Sequence, residues 1–484
     1  MTRTKRILLL SGIVIIAIFL RFYHLTSAPP GLAPDEAIDG NNAVEVAQTG
    51  HYHAFYTEDY GREGLYINIL AVLFQFFHTP HKPWVLRLPA AVAGVFTVIG
   101  LYLLTSELFG IGPGLLAAFL LATSFWHINF SRIAFRAILA PLFLAWSLYI
   151  LTKAFRAVTS RTAAMYSVVS GIIYALGFYT YIAYRVTPLL LLVFIPFSQV
   201  HRGFWKRFLI FVIVAFFVAM PIGWYFLQNP VDFFERISVL SATSSSSPIR
   251  DFVINAARTV LMFFSRGDKN WRHNVSGARE LFLPVGVLFL LGIIRGIYSL
   301  WKDWRRRSRQ VFALLLTFLW FLLAIFPAAA SKSEIPHALR SILLLPPTMI
   351  FAGLGGVYLY ELMKTHARRN FAEAVAIIFL TSVTMFAYVE YFKVWAGSPQ
   401  VPGAFSTDYV TMGLEINALP LHCPKYVVVE AEDVLTRGIP MSAETTIFIT
   451  DSFSPEQQRA RGIHYLLPSQ VNQIPPNAFV FYVR

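Results

Sequence analysis

Residues 7–22 read ILLLSGIVIIAIFLRF, uncharged as far as Arg21, with Arg3, Lys5 and Arg6 just ahead. Basic residues before an apolar run also begin a secretory leader. Residues 21–30 lack a small-x-small cleavage site, however, and further apolar runs follow, so the stretch reads as an uncleaved first membrane helix. Ten more such runs occupy residues 85–104, 114–130, 137–152, 163–180, 186–200, 208–226, 281–300, 311–329, 339–359 and 372–392. Together they predict an all-α polytopic membrane protein with about eleven transmembrane helices. Composition agrees: 14% of the residues are charged and 56% hydrophobic. A soluble domain carries about a quarter charged residues.

The basic residues set an orientation. Alternate loops hold Lys153, Arg156 and Arg161, then Arg202, Lys206 and Arg207, then Lys302, Arg305, Arg306, Arg307 and Arg309, then Lys364, Arg368 and Arg369. The short loops between them carry only Arg132, Arg136, Arg185, Lys332 and Arg340. The positive-inside rule therefore predicts a cytoplasmic N-terminus and, with an odd number of spans, an extracytoplasmic C-terminus. The net charge of +14 is accounted for by these anchors beside anionic lipid, and no nucleic-acid partner is expected.

Three extracytoplasmic segments are large. The first covers about residues 23–83 and includes an apolar stretch, Leu65 to Phe77, too short to span and expected at the interface. The second covers about 227–280 and contains a serine run, Ser244 to Ser247, expected as a mobile loop. The third is the tail, 394–484, whose runs Tyr426 to Val429, Thr446 to Ile449 and Phe479 to Val483 predict strands of a small α/β domain. The expected division is thus a transmembrane domain over 1–393 and an extracytoplasmic domain over 394–484.

Candidate chemistry gathers on the outer side. Asp35 and Glu36 follow Pro29, Pro30, Gly31 and Pro34, which would fix a turn aiming the acids at the membrane surface. An acid so placed suits a general base, while Asp35 would equally cap a helix starting near Ala37. Arg62 and Glu63, Arg132 and Arg136, Tyr181 and Arg185, and His337 and Arg340 lie at the same level. Arginines against the positive-inside trend suggest a bound phosphate; snorkelling or ion pairing is the alternative. Arg272 and His273 would form a polar contact loop. His51 with His53, or His78 with His81, could chelate, but no third ligand stands at a telling spacing, so the metal and cofactor stay unknown. The single cysteine, Cys423, excludes a disulfide framework.

In this order the residues resemble a family. The chain is similar to the GT-C membrane glycosyltransferases, and more narrowly to bacterial relatives of the protein O-mannosyltransferases and of the aminoarabinose transferase of lipid A. The resemblance is carried by Asp35-Glu36, Arg62-Glu63-Gly64-Leu65, Arg87-Leu88-Pro89, Ser131-Arg132, the Tyr179-Thr180-Tyr181 segment before Arg185, Trp271 to Asn274, and Pro336 to Arg340. It covers roughly residues 7–392.

The resemblance implies a hexosyl- or pentosyltransferase of the bacterial inner membrane that uses a polyprenyl-phosphate sugar and inverts the anomeric carbon. It implies Asp35 as the base toward an acceptor hydroxyl on a protein, lipid or glycan. It also places Arg62, Glu63, Arg132, Tyr181, Arg185, His337 and Arg340 at the donor. Gly64 stands where relatives have proline, and Ala137 where some have a second acid, so that acid's role, metal binding included, is not carried over. The alternative reading is a transporter or lipid flippase, which would place ionisable groups at mid-bilayer and show matching halves. Here the middles of the runs are almost free of charge.

Overall fold

The structure, a computed structural model, describes residues 2–77, 81–200, 203–234, 247–303, 305, 308–332 and 334–484, with only the backbone at 198–200. His78, Arg202, Arg306, Arg307 and residues 244–246 of the serine run lie outside the described residues.

Among the described residues, eight helices are long and apolar enough to cross a membrane: Pro83–Phe109, Arg136–Arg156, Ser160–Tyr179, Phe204–Gln228, Leu283–Asp303, Arg309–Ala329, Ile342–His366 and Arg369–Trp395. Shorter apolar helices cover Leu65–Phe77, Ile111–Ala122 and Ile182–Phe197. The opening run forms the helix Arg3–Phe22, whose Arg3, Lys5, Arg6 and Arg21 keep it out of the eight. The run 114–130 is two helices, Ile111–Ala122 and Phe125–Phe130. The segment Ile182–Val200 winds as a 3-10 helix containing Pro188 and Pro196, which lack the N–H an α-helix needs. The protein is a multi-pass membrane protein.

The chain divides into two compact units. The first comprises Met1–Tyr23, Ala90–Ser131 and Arg136–Trp395. Its helices approach closely where glycine leaves room: a side-chain carbon on Gly292 would lie 1.8 Å from the Phe351 carbonyl, and one on Gly355 1.9 Å from that of Leu288. Such backbone-to-backbone packing is how membrane helices gain dispersion contacts. Arg21, fully buried, donates to the carbonyls of Ala17, Ala122 and Leu121, at 3.1, 3.0 and 3.4 Å, and meets His127 Nδ1 at 2.6 Å.

The second unit comprises His24–Pro89, Arg132–Phe135 and Ala396–Arg484. Its helix Pro34–Thr49 packs on Leu65–Phe77 and on Glu444–Thr450. A three-stranded parallel sheet places Lys425–Val429 between Ile463–Leu466 and Phe479–Val483. Val427, Val429, Ile447, Phe453 and Ile463 close its core. The expected strand Thr446 to Ile449 is instead part of the helix Glu444–Thr450, every residue of which is buried. Burial overrides the β preference of its branched residues. The threonine hydroxyls are satisfied, Thr450 donating to the Thr446 carbonyl at 2.8 Å, Thr445 to that of Leu32 at 2.9 Å and Thr446 to that of Tyr409 at 3.4 Å.

Candidate active site

The helix Pro34–Thr49 starts with Ala33 as its cap residue and Pro34 in its first turn, where proline's missing N–H costs nothing. Asp35 therefore does not cap the helix. Glu36 does so from within, its Oε2 accepting from the Ala33 N–H at 3.1 Å. Both acids sit at the positive end of the helix dipole.

One guanidinium organises the acids. Arg62, 1% exposed, donates from Nη1 to Asp39 Oδ1 at 2.9 Å and to the Asp35 carbonyl at 3.0 Å. From Nη2 it reaches Asp59 Oδ2 at 2.6 Å and Asp35 Oδ1 at 3.3 Å. Burial alone would lower the Arg62 pKa, but Asp39, Asp59 and Asp35 outweigh it and hold the group above its ordinary value. Asp59, Tyr60 and Gly61 all have positive φ, and a side chain on Gly61 would strike the Phe55 ring. Only glycine fits there. The turn so formed brings Asp59 back onto Arg62. Of the three carboxylates, Asp35 is 33% exposed, against 16% for Asp59 and 1% for Asp39. Asp35 is the most exposed of the three.

Glu36 is fully buried in a two-pronged pair with Arg87, with Nε to Oε1 and Nη2 to Oε2 both at 2.9 Å. It also accepts from the Ala134 N–H at 2.8 Å, and Arg87 donates to the carbonyls of Pro29 and Gly31. The pair ties the proline-framed turn together. Glu63 is buried on the short strand Arg62–Glu63. Arg132 is buried too, donating to the Ala28 carbonyl at 2.7 Å.

In the first unit, Tyr181 is buried. Arg185 lies over the rings of Phe226 and Phe233, at 4.8 and 4.5 Å from their centres, a stacked guanidinium. A second polar group forms around Asp268. Its Oδ2 accepts from His273 Nδ1 at 2.9 Å and from the Ala338 N–H at 2.8 Å, and lies 3.7 Å from His337 Nδ1. The two imidazole rings lie 4.9 Å apart, tilted at 36° to one another. Burial, then His273, Arg340 and Arg272, push the His337 pKa well below its usual range, which leaves a neutral imidazole. Glu280 accepts from the Asp268 N–H at 3.1 Å; burial, then Asp268, raise its pKa well above the carboxylate range. The Arg272 carbonyl accepts from Asn129 at 2.8 Å, anchoring the loop expected from residues 271–274. Arg340 stands one turn after His337, its N–H directed to His337 Nδ1 at 3.4 Å.

Asp268 also lines a cavity of about 470 Å³ whose walls carry Arg258, Lys269 and Lys332 against Glu334. Three cations around one hollow suit an anion. These residues, and Asp39, Asp59 and Arg87 in the second unit, were not singled out from the sequence as site residues.

Asp268, His273 and His337 offer one carboxylate and two imidazoles with ligand atoms within 4.8 Å of one another. That donor set suits Zn²⁺. A bound ion would take the place of the hydrogen bond between His273 and Asp268.

Comparison with known proteins places this architecture. The family model for dolichyl-phosphate-mannose-protein mannosyltransferase matches residues 66–225. No curated protein sequence matches the chain. The oligosaccharyltransferase of Archaeoglobus fulgidus, solved with Zn and sulfate, has a TM-score of 0.58 at 16% identity over 91% of this chain, which spans 61% of that protein's length. ArnT from Cupriavidus metallidurans bound to undecaprenyl phosphate has a TM-score of 0.59 at 14% identity, over 100% of this chain and 90% of that one. At such identities the likeness is one of fold. The chain thus shares its fold with these membrane glycosyltransferases, and its residues 66–225 are similar to the dolichyl-phosphate-mannose-protein mannosyltransferase family.

Proposed function

We propose that the chain is an inverting glycosyltransferase, moving a sugar from a polyprenyl-phosphate donor to an acceptor hydroxyl at the extracytoplasmic face of the bacterial inner membrane. The observation that carries this reading is Asp35, the exposed member of a carboxylate trio gripped by a buried arginine. Undecaprenyl phosphate in the ArnT structure supports the donor class. An acceptor peptide tethered to the archaeal oligosaccharyltransferase supports a protein acceptor, beside lipid or glycan.

Asp35 takes the proton of the acceptor hydroxyl as that oxygen bonds to the anomeric carbon. The bond from that carbon to the phosphate oxygen breaks, and the lipid phosphate leaves with the electron pair. A positioned base contributes about 10²–10⁴ in rate. Arg62 positions Asp35, and Glu36 with Arg87 holds the turn. The first unit by itself carries cations suited to a phosphate: Arg258, Lys269 and Lys332 at the cavity, with Arg272, Arg340 and Arg185 as further candidates. Asp268, His273 and His337 would hold a divalent cation, which supplies Lewis-acid charge when bound.

The test is release of free polyprenyl phosphate by purified protein given a polyprenyl-phosphate sugar. Release that requires both sugar donor and acceptor supports the reading. Intact donor after long incubation with protein, lipid and glycan acceptors contradicts it. Movement of unaltered lipid between leaflets would instead favour a flippase.

A further inference from the structure

A groove of about 900 Å³ runs along the opening helix, walled by Leu8, Gly12, Ile16 and Phe19, with Leu116 and Leu380 opposite. Its lining is almost entirely apolar. Positions 8, 12, 16 and 19 recur every three or four residues and form one stripe of the helix. Lys5, three residues before Leu8, continues that stripe past the end of the groove, and Arg6 flanks it. Both are exposed. The first acid in the chain is Asp35, so nothing on the opening helix neutralises them. At the other end the groove is lined by Phe19 and Tyr388, whose ring centres lie 6.3 Å apart, and Phe19 stacks on Tyr23 at 4.8 Å. From Leu8 to Phe19 the helix rises about 17 Å at 1.5 Å per residue. That is close to half of the roughly 30 Å hydrocarbon core, the depth of one leaflet.

The geometry points to a binding site for one anionic phospholipid, its chain in the groove and its phosphate headgroup at Lys5 and Arg6. Length selects a single-leaflet chain, and the charge at one end, unpaired among the described residues, selects the headgroup. The site is independent of the glycosyl-transfer reading.

Gly12 supplies the test, because a side-chain carbon there would meet no atom within 4 Å. Gly12→Phe therefore fills the groove without disturbing the helix packing. Purified protein is delipidated, offered phosphatidylglycerol or phosphatidylcholine with identical chains, and read by native mass spectrometry. The wild type should retain one phosphatidylglycerol at least about fivefold over phosphatidylcholine. Lys5→Glu with Arg6→Glu should abolish that preference, and Gly12→Phe should lose the retained lipid at an unchanged unfolding temperature. Should Gly12→Phe fold poorly, Ile16→Trp on the same stripe gives the same readout. Equal retention of both lipids by the wild type overturns the proposal, as does undiminished phosphatidylglycerol on the filled groove. Displacement of phosphatidylglycerol by equimolar polyprenyl phosphate would assign the groove to that longer lipid and overturn it as well.

Discussion

Arg62 holds Asp35 twice, by its carbonyl at 3.0 Å and by its carboxylate at 3.3 Å. A single buried guanidinium thus fixes both the backbone and the side chain of the residue proposed as base. Asp39 lies one helical turn after Asp35, so the same arginine also neutralises the buried neighbour that would otherwise repel it.

Removing that arginine should therefore damage the fold before the chemistry. Arg62→Ala leaves Asp39 buried without its cation, at a cost of about 3–5 kcal/mol. Arg62→Lys keeps the charge but loses the fork and should fall between the alanine variant and the wild type. Thermal unfolding of the three proteins in one detergent checks the order. An alanine variant that melts with the wild type would remove Arg62 as the anchor of the cluster.

The second unit should also carry a pH signature. Burial raises the Glu444 pKa to about 7, against the lowering effects of its Asn41 hydrogen bond, Arg62 and Arg437. The folded state then holds a proton that the unfolded chain gives up near the usual 4.5. The resulting stability is complete below about 4.5 and drains away as pH rises toward 7, on the order of 3 kcal/mol in all. Glu444→Gln keeps an uncharged side chain at every pH. Its unfolding temperature should match the wild type at pH 4.5 and exceed it at pH 8. Parallel curves from pH 4.5 to 8 would show that Glu444 does not titrate in this window.

The Asp268 group yields a metal test independent of turnover. Added Zn²⁺ should raise the unfolding temperature of the wild type by ligand linkage, and the gain should vanish in Asp268→Asn and in His337→Ala. A gain that survives in both variants would place the ion elsewhere.

How much of this the sequence discloses depends on the range of the interaction. Every one of the apolar runs is helical, because hydropathy over some twenty residues is a local property. Asp35 and Glu36 also stand out locally, behind their prolines. Their division of labour does not: what separates an exposed Asp35 from a buried Glu36 is Arg87, fifty-one residues away. Likewise Asp268 and His337 are far apart in the chain, and no ligand spacing announces them. The misread strand at Thr446 to Ile449 has the same origin. Its β-branched residues are chosen for a buried helix whose neighbours come from distant segments.

The most direct measurement is turnover by Asp35→Asn. Asparagine keeps the size of the side chain and can still accept from Arg62, so the protein should fold and bind the lipid donor. Release of polyprenyl phosphate should fall by at least about a hundredfold, with donor affinity unchanged. A well-folded Asp35→Asn protein that turns over at the wild-type rate would contradict Asp35 as the base.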